Sequence, residues 1–484
     1  MRNDWTSKHA GGKRNRQQIV GSEESGFKKL LSRREFLYGA AGVAGVAAVG
    51  AGVVIARSGS SKDDDIDILK VPKSSLTTQL DMEAIETYED KLQLLAEHEL
   101  PYGTLVWANS DVVAGCLIPT ETGSPLTHLG LLALGSGHLE TLMESAVGSA
   151  KGFEVYDMRA TASGVIWTEA NVLEGTWRVY TAAISDFTMG KPVLADKGDE
   201  TYDTPMLAIT DSQAFWQVLP KLPNDAGLPS VLKAATPGKA DTHVVFENAR
   251  RMACPPYATA NSVVIAPRLD MGTVYYQLTN IDAKTGEVID TMTLPTPMKP
   301  IDVAYGKNGF MFTFDSIYQV GEGISNLGTY CPMTTVKNGA YSDVDWFGFA
   351  RTPQSPPAWA GDLLIVKSTY SVCGVDLKEG TYAVIDVDDG ADNYGEFLAS
   401  TGSHETFVSF TNIDHSPVNA KAVKACRVKV WEPVHPTPET TPEESSNSDA
   451  STSPSASSAS SSASSASSAS APSKTPRFEN VIET

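Results

Sequence analysis

The sequence predicts an all-β protein whose main body, residues 100–432, is a single β-propeller of seven blades. In this stretch short apolar runs are separated by turns rich in Gly, Asn, Asp, Ser and Pro, a pattern typical of strands and hairpins. The same stretch contains an internal repeat in which an Ala is followed by a short turn and then by an apolar run. A repeat of short strands with a period near 50 residues is typical of a propeller.

The repeat has seven copies, and successive copies begin 41 to 54 residues apart. Their first residues are Ala108, Ala160, Ala208, Ala258, Ala304, Ala358 and Ala399. We expect each Ala to lie on the innermost strand of a blade, where the blades converge and only small side chains fit. The last two copies are irregular, so six and eight blades are alternatives, and two β-sandwiches are a further one. Seven roughly even copies favour one closed ring.

Residues 57–99 precede the repeats and fit them poorly. We interpret this segment as a linker followed by a short helix, because apolar residues within residues 81–98 recur at helical spacing. The residues that would share one face of this helix are Met82, Ile85, Tyr88, Leu92 and Leu95. Part of the segment is also expected to close the ring beside the final strand, residues 423–431.

The chain begins with a basic leader, residues 1–35, which contains a paired-arginine motif. An uncharged run rich in Ala, Gly and Val follows over residues 36–56. The motif reads S-R-R-E-F-L, and its characteristic residues are Ser32, Arg33, Arg34, Phe36 and Leu37. This combination resembles the twin-arginine (Tat) export signal. The resemblance implies a protein that folds in the cytoplasm, is carried by the Tat translocase and works outside the membrane.

The apolar run has two alternative fates. Its 21 residues would span about 31 Å as a helix, which is enough to cross the bilayer core and tether the body to the membrane. Val54 and Ala56 instead fit the small-residue positions of a cleavage site, and cleavage after Ala56 would release the body.

The C-terminal residues 433–484 have the composition of a disordered tail. Thr, Glu, Ser and Pro dominate its first part, and residues 455–471 are only Ser and Ala. Such a sequence has no apolar face to bury. We interpret it as a stalk or a cell-wall spacer.

The two halves of one repeat copy add a family resemblance. They read S-G-V-I-W-T-E-A-N over residues 163–171 and E-G-T-W-R-V-Y-T-A over residues 174–182. Together with the signal and the Ser-rich tail, they resemble a group of actinobacterial Tat-signal proteins of unknown function. The resemblance implies a TolB-like propeller body, and it brings no catalytic residues.

Composition argues against several classes of partner. The net charge is −20, and the leader, with nine Lys or Arg and four Asp or Glu, carries +5, so the remainder carries −25. An acidic body repels nucleic acid and anionic membrane surfaces. Five scattered cysteines do not form a disulfide framework, so we expect each to be a small buried residue.

No motif assigns catalysis or a cofactor. The sequence contains no nucleophile elbow, phosphate-binding loop or zinc-protease motif, so no catalytic, cofactor-binding or metal-binding residue is predicted. His138 with Glu140 is interpreted as an exposed turn. The acidic stretch over residues 386–396 resembles a calcium loop but departs from its spacing, so a solvated loop is the simpler interpretation. The tryptophans are expected to pack in the core.

The leading functional hypothesis is a binding or scaffold propeller at the cell envelope, with an envelope protein or a glycan as its partner. The alternative is an extracytoplasmic propeller enzyme of the lactonase, glycosidase or quinone-dependent dehydrogenase type. A sensor that works with a membrane partner is a third class.

Overall fold

The structure is a computed structural model that describes most of the predicted body. The described residues are 54–55, 66–222, 227–318, 323–415 and 423–434. The twin-arginine motif, nearly all of the apolar run and the tail from residue 435 lie outside them. Among the described residues, no helix is long and apolar enough to cross a membrane.

The described chain is built of β-strands, which confirms the all-β prediction. The helical elements within the described ranges are single 3₁₀ turns, at Lys73–Ser75, Gln79–Asp81, Tyr88–Asp90, Ser149–Lys151 and Tyr341–Asp343. Four strands precede the first repeat copy. They are β1 (Val54–Ile55), β2 (Leu76–Thr78), β3 (Glu83–Ala84) and β4 (Leu92–Pro101).

The strands that follow form seven sheets, numbered here in chain order. Sheet 1 contains β5 (Leu105–Trp107), β6 (Val113–Pro119), β7 (Thr127–Ala133) and β8 (Leu139–Met143). Sheet 2 contains β9 (Glu154–Ala160), β10 (Gly164–Asn171), β11 (Thr176–Ser185), β12 (Thr188–Met189) and β13 (Val193–Gly198). Sheet 3 contains β14 (Met206–Ile209), β15 (Ala214–Val218), β16 (Ser230–Ala235) and β17 (His243–Asn248), with β1 at its edge.

Sheets 4 to 6 repeat this plan. Sheet 4 contains β18 (Tyr257–Ala258), β19 (Ser262–Ile265), β20 (Arg268–Asp270), β21 (Val274–Asp282) and β22 (Val288–Thr293). Sheet 5 contains β23 (Asp302–Gly306), β24 (Gly309–Phe314), β25 (Gly328–Pro332) and β26 (Trp346–Phe349), with β2 at its edge. Sheet 6 contains β27 (Ala358–Ala360), β28 (Leu363–Lys367), β29 (Val372–Asp376) and β30 (Thr381–Val384), with β3 at its edge.

Sheet 7 is composite, which means that its strands come from both ends of the body. It contains β31 (Phe397–Leu398), β33 (Phe407–His415) and β34 (Val423–Pro433), and its fourth strand is β4 from the N-terminal side. The short strand β32 (Ser403–His404), which lies between β31 and β33 in the chain, pairs with β27 of sheet 6. The contiguous repeat unit therefore occurs six times, and the seventh copy is completed by a distant segment.

Apolar side chains fill the space between neighbouring sheets all the way round. Clusters join sheets 1 and 2, sheets 2 and 3, sheets 3 and 4, sheets 4, 5 and 6, sheets 6 and 7, and sheets 7 and 1. Because both faces of most sheets are covered, second strands such as β10 and β24 are buried along their whole length. The packing of the sheets therefore forms a closed cycle.

The structure confirms the expected position of the repeat alanines. Five lie on the first strand of their sheet, while Ala108 and Ala399 directly follow β5 and β31. All seven are at most 4% exposed. Their registers differ, because Ala160 pairs with Val165 whereas Ala208 pairs with Phe215. The Ala therefore lies at the end of its strand in sheet 2 and one residue before the end in sheet 3, while four residues lie between the last paired residues of the hairpin in both.

The prediction of a helix over residues 81–98 is wrong. A 3₁₀ turn, the short strand β3, a second 3₁₀ turn and β4 occupy this stretch. Leu94 and Leu95 are 42% and 46% exposed, so the apolar spacing does not mark one buried face. The backbone of β4 pairs with β34 from Ala425 to Pro433, and this pairing outweighs local helical preference. The expectation that this segment closes the ring beside the final strand is confirmed.

Residues 66–91, called the rim segment below, run along the outer edges of three sheets. Ile68 forms a parallel bridge with Thr293 of sheet 4. The strands β2 and β3 then pair in parallel with β26 of sheet 5 and β30 of sheet 6. Buried Gln79 accepts a hydrogen bond from the backbone N–H of Ala350 at 2.8 Å. The body therefore extends N-terminally of residue 100.

Candidate functional site

A cavity of about 240 Å³ lies where the inner strands of the sheets converge. Each of the seven sheets, or the residues directly flanking it, contributes to its wall. One lining residue from each, in chain order, is Trp107, Arg159, Ala208, Tyr257, Asp302, Ser355 and Ser400. Sheets packed in a closed cycle around one central cavity define the fold.

The molecule is a β-propeller.

Asp302 is the acidic residue of the cavity wall. It is the first residue of β23, so its position is fixed by the inner strand of sheet 5. Burial raises the pKa of this carboxyl to about 6, against the smaller opposing effect of the Thr313 hydroxyl, 3.4 Å from Oδ2. The group thus titrates near neutral pH and can hold or release a proton there.

Two residues of the wall also carry a buried side-chain oxygen without a hydrogen-bond partner in the described part of the chain. The two oxygens are Oδ1 of Asn109 and Oγ of Ser355. The Nδ2 amide of Asn109 donates to Oγ1 of Thr401 at 2.6 Å, which fixes the side chain and leaves its oxygen as a free acceptor. An unsatisfied buried polar atom costs about 1–3 kcal/mol, and a ligand that hydrogen-bonds to it offsets this cost.

Arg159 and Trp107 form a rigid part of the wall. The guanidinium lies 4.5 Å from the centre of the Trp107 ring. Its Nη1 also donates to Oδ1 of Asp157 at 2.5 Å and to the carbonyl oxygen of Met158 at 2.6 Å. The charge of Arg159 is therefore already paired within the propeller.

Tyr257 closes the opposite side of the cavity and its hydroxyl is fully used. The hydroxyl donates to the carbonyl oxygen of Pro357 at 2.9 Å and accepts from the backbone N–H of Gly402 at 2.5 Å. Burial raises the pKa of Tyr257 well above its usual range, so this hydroxyl stays protonated. Its role is to link sheets 4, 6 and 7 around the cavity.

The interpretation of His138 and Glu140 as an exposed turn holds, whereas the acidic stretch is not simply a solvated loop, because Glu396 is buried and accepts a hydrogen bond from Ser409 at 2.6 Å. His138 and Glu140 form an exposed pair 3.4 Å apart, away from the central cavity. In the acidic stretch, Asp388 pairs with Lys429 at 3.0 Å and Arg427 at 3.3 Å, so cations of sheet 7 neutralise it. In the part of the chain that the structure describes, no group of three or more His, Cys, Asp or Glu side chains could hold a metal ion.

The aromatic and cysteine residues also lie where the sequence predicts. Six of the seven body tryptophans are buried, and only Trp107 is partly exposed because it lines the cavity. All five cysteines are buried and unbridged, and burial raises the pKa of each thiol.

Sequence reasoning missed Asp302, Ser355 and Asn109 as site residues. The signal that could have found two of them is the repeat itself. Asp302 lies two residues before Ala304, and Asn109 directly follows Ala108. Any polar residue this close to an inner-strand Ala is a candidate for the channel wall.

Comparisons with known proteins match the chain to solved structures of low sequence identity. No protein-family model and no curated protein matches it. A structure from an analysis of two prolyl endopeptidases and their inter-domain dynamics in catalysis shares 11% identity over 69% of this chain and 47% of its own, with a TM-score of 0.44. A post-proline cleaving enzyme from Rickettsia typhi shares 10% identity over 65% of this chain and 50% of its own, with a TM-score of 0.43.

A third similar structure is the β-propeller domain of the Trilobed protease from Pyrococcus furiosus. It shares 10% identity over 56% of this chain and 84% of its own length, with a TM-score of 0.35. The chain spans about half the length of the two peptidases above.

Proposed function

We propose that the protein is exported through the Tat pathway and binds a small hydroxyl-rich molecule, such as the end of a glycan, in its central cavity. The observation that supports this ligand class is the set of free polar atoms in the wall. Oδ1 of Asn109, Oγ of Ser355 and the carboxyl of Asp302 lack a strong partner. Since an amide oxygen and a carboxylate accept hydrogen bonds, they select a ligand that donates several.

The size of the cavity supports a small ligand. Its volume of about 240 Å³ lies below the usual range for drug-sized molecules. A single sugar ring or the last unit of a chain suits such a space. The Trp107 ring in the wall adds an apolar surface against which a sugar face can pack.

We also propose that composite sheet 7 is the seventh blade of the ring. Its apolar side chains pack on both sheet 6 and sheet 1, and Ala108 forms a backbone bridge with Ser400 across the junction with sheet 1. The contiguous repeats alone would form six blades, and this sheet is the one that we add as the seventh. A map from electron cryomicroscopy that resolves the view down the central channel tests the count.

Catalysis is the second candidate function, and Asp302 is the observation that favours it. A carboxyl with a pKa of about 6 is suited to transfer a proton at neutral pH. Asp302 is the one carboxyl in the wall of the described cavity, whereas most glycosidases use two. A reaction here would therefore need chemistry in which a single general acid or base suffices.

The experiment that tests both functions uses the full-length protein and a panel of monosaccharides and short envelope glycans. We expect saturable binding of at least one compound, measured by titration calorimetry, and a loss of about tenfold in affinity in Asp302→Asn. Asp315→Asn, an exposed site outside the cavity, is the matched control and should bind normally.

Mass spectrometry of the same mixtures separates the two functions. Unchanged glycans support a binding protein, whereas a product that Asp302→Asn fails to form supports an enzyme. The proposed site is wrong if no compound binds saturably, or if Asp302→Asn binds as tightly as the wild type.

A further inference from the structure

A groove of about 460 Å³ lies at one end of sheet 2, away from the central cavity. Its charged lining consists of three cations, Lys151, Arg178 and Lys197, and one carboxylate, Glu174. Outside the basic leader the chain carries −25, so a predominantly cationic groove is a local departure from the charge of the body. Such a concentration of positive charge favours a ligand that carries negative charge.

Two of the cations face each other within the sheet. Arg178 of β11 lies directly opposite Lys197 of β13 in the strand register. Like charges at opposite positions of two strands destabilise a sheet. Among the described residues, neither side chain has an ion pair, and neither does Lys151.

Besides Glu174, which lines the groove, two carboxylates lie on strands next to it, and both accept hydrogen bonds from other groups. Glu169 lies opposite Arg178 on the other side of β11, but its two oxygens accept the backbone N–H groups of Val147 at 2.6 Å and Gly148 at 2.9 Å. Asp196 accepts from Nζ of Lys233 at 2.7 Å and from the indole N–H of Trp216 at 2.8 Å. These hydrogen bonds orient Glu169 and Asp196 without an ion pair to Arg178 or Lys197, and with three cations against Glu174 the groove keeps an excess of positive charge.

The position of Arg178 is fixed before any ligand arrives. Its guanidinium lies 3.9 Å from the centre of the Phe153 ring. Stacking on the ring holds the planar group and leaves its edge N–H donors free, and these donors match the oxygens of a phosphate. The hydroxyl oxygen of Thr176, in the same wall, is buried and has no hydrogen-bond partner.

Two exposed apolar residues lie in the β10–β11 turn beside the groove, and we call them the apolar tip. Val172 and Leu173 form the turn directly before Glu174, and they are 78% and 99% exposed. Large side chains this exposed gain free energy when an apolar partner covers them. A cationic groove beside an apolar tip fits a molecule that carries both an anionic and an apolar portion.

We propose that this groove binds a phosphate group through Arg178, Lys197 and Lys151, and that the Val172–Leu173 turn contacts an apolar portion of the same molecule. A phosphate offers several oxygens and up to two charges, which three cations can share. The same group occurs on free phosphorylated compounds and on lipids. The apolar tip is the feature that favours the lipid.

The experiment compares two probes on the full-length protein by titration calorimetry. One is inorganic phosphate, and the other is dihexanoyl phosphatidic acid below its critical micelle concentration. We expect both to bind saturably and the lipid to bind more tightly. Arg178→Gln combined with Lys197→Gln should weaken both by about tenfold or more. Because it removes a like-charge pair, this double variant should fold normally.

Two further variants complete the test. Lys191→Gln combined with Lys239→Gln removes the same charge from exposed positions outside the groove, and it should bind both probes normally. Leu173→Ser should remove the advantage of the lipid and leave phosphate binding unchanged. The phosphate site is wrong if neither probe binds, or if the groove variant binds like the control. The apolar contact is wrong if both probes bind wild type equally well.

Discussion

Ala160 shows at the scale of one side chain why the inner strands carry alanine. A Cβ built on Gly115 of sheet 1 would lie only 3.3 Å from Cβ of Ala160 and would also clash with Met158. Sheets 1 and 2 therefore approach so closely that one position must be Gly and the facing one must be small. Larger side chains would push the two sheets apart.

The first prediction follows from this contact. Replacing Ala160, Ala208, Ala258 or Ala304 by Leu should lower the free energy of unfolding by about 1–3 kcal/mol each, because each side chain is buried between sheets. Ala162→Leu is the matched control, since Ala162 lies two residues from Ala160 and is exposed. Denaturant unfolding of the five variants measures the effect. Neutral behaviour at two or more of the four sites would contradict a shared environment.

For single residues, the sequence predicts which side chains are buried better than it predicts their pKa values. The burial of each repeat Ala follows from its place in a periodic pattern. The properties of Asp302 do not, because its raised pKa depends on residues that surround it only after all the sheets converge. A single sequence contains no local signal for that environment.

The junction between sheets 7 and 1 illustrates stabilisation at the scale of elements. His404 lies in β32, which pairs with sheet 6 and belongs to the connection between β31 and β33 of sheet 7. Its Nδ1 lies 3.5 Å from Oδ2 of Asp111, in the turn between β5 and β6 of sheet 1. Nε2 of the same ring lies 2.8 Å from the carbonyl oxygen of Thr401. Both ring nitrogens face acceptors, so the doubly protonated imidazolium satisfies both contacts.

The two pKa shifts agree with this geometry. Burial alone would lower the pKa of His404, but the hydrogen bond and the charge of Asp111 outweigh it, and Asp211 adds to the effect, so the pKa is raised. Burial alone would raise the pKa of Asp111, but hydrogen bonds from His404 and Thr406 lower it to about 2. The pair is therefore most favourable with His404 protonated and Asp111 ionised.

The second prediction concerns the pH dependence of this junction. The contribution of His404 is complete below its unfolded pKa of about 6.5 and is lost as pH rises through the higher folded value. The contribution of Asp111 is present above about pH 4 and is lost as pH falls toward 2. His404→Gln should therefore lower the melting temperature most near pH 5 and least near pH 9.

The exposed pair of His138 and Glu140 supplies the control for this experiment. Because both side chains are solvated, His138→Gln should change the melting temperature little at any pH. Equal effects of His404→Gln at pH 5 and pH 9 would show that the junction does not depend on the imidazolium.

Elements also show where sequence reasoning fails. The sequence predicts strands over residues 177–184, 274–281 and 288–294, and β11, β21 and β22 lie within one residue of these bounds, because turn residues mark their ends. In contrast, β4 was interpreted as part of a helix, since a strand that pairs with a partner 328 residues away has no local signature. No local sequence pattern predicts the register shifts that recur in the outer strand pairs β7–β8, β11–β13, β16–β17, β21–β22 and β34–β4. Such bulges accommodate the strong twist of outer strands.

At the scale of the whole molecule, the third prediction concerns export. Replacing Arg33 and Arg34 together by Lys should leave the protein folded but retain it in the cytoplasm, because the Tat pathway recognises the paired arginines. Cell fractionation with immunoblotting measures the distribution. Arg14→Lys combined with Arg16→Lys, in the same leader but outside the motif, should be exported normally. Continued export of the Arg33 and Arg34 variant would rule out the Tat assignment.

The composite sheet also sets the order in which the molecule can be completed during synthesis. Strand β4 is among the first parts of the body to leave the ribosome, and its partner β34 is among the last. Until β34 emerges, the earlier sheets form an open arc whose first outer strand has no hydrogen-bonding neighbour. Long-range pairings of this kind form slowly and leave strand edges exposed to wrong partners in the meantime. Closure of the ring therefore waits for the last strand of the body, and it must precede any transport of the protein in its folded form.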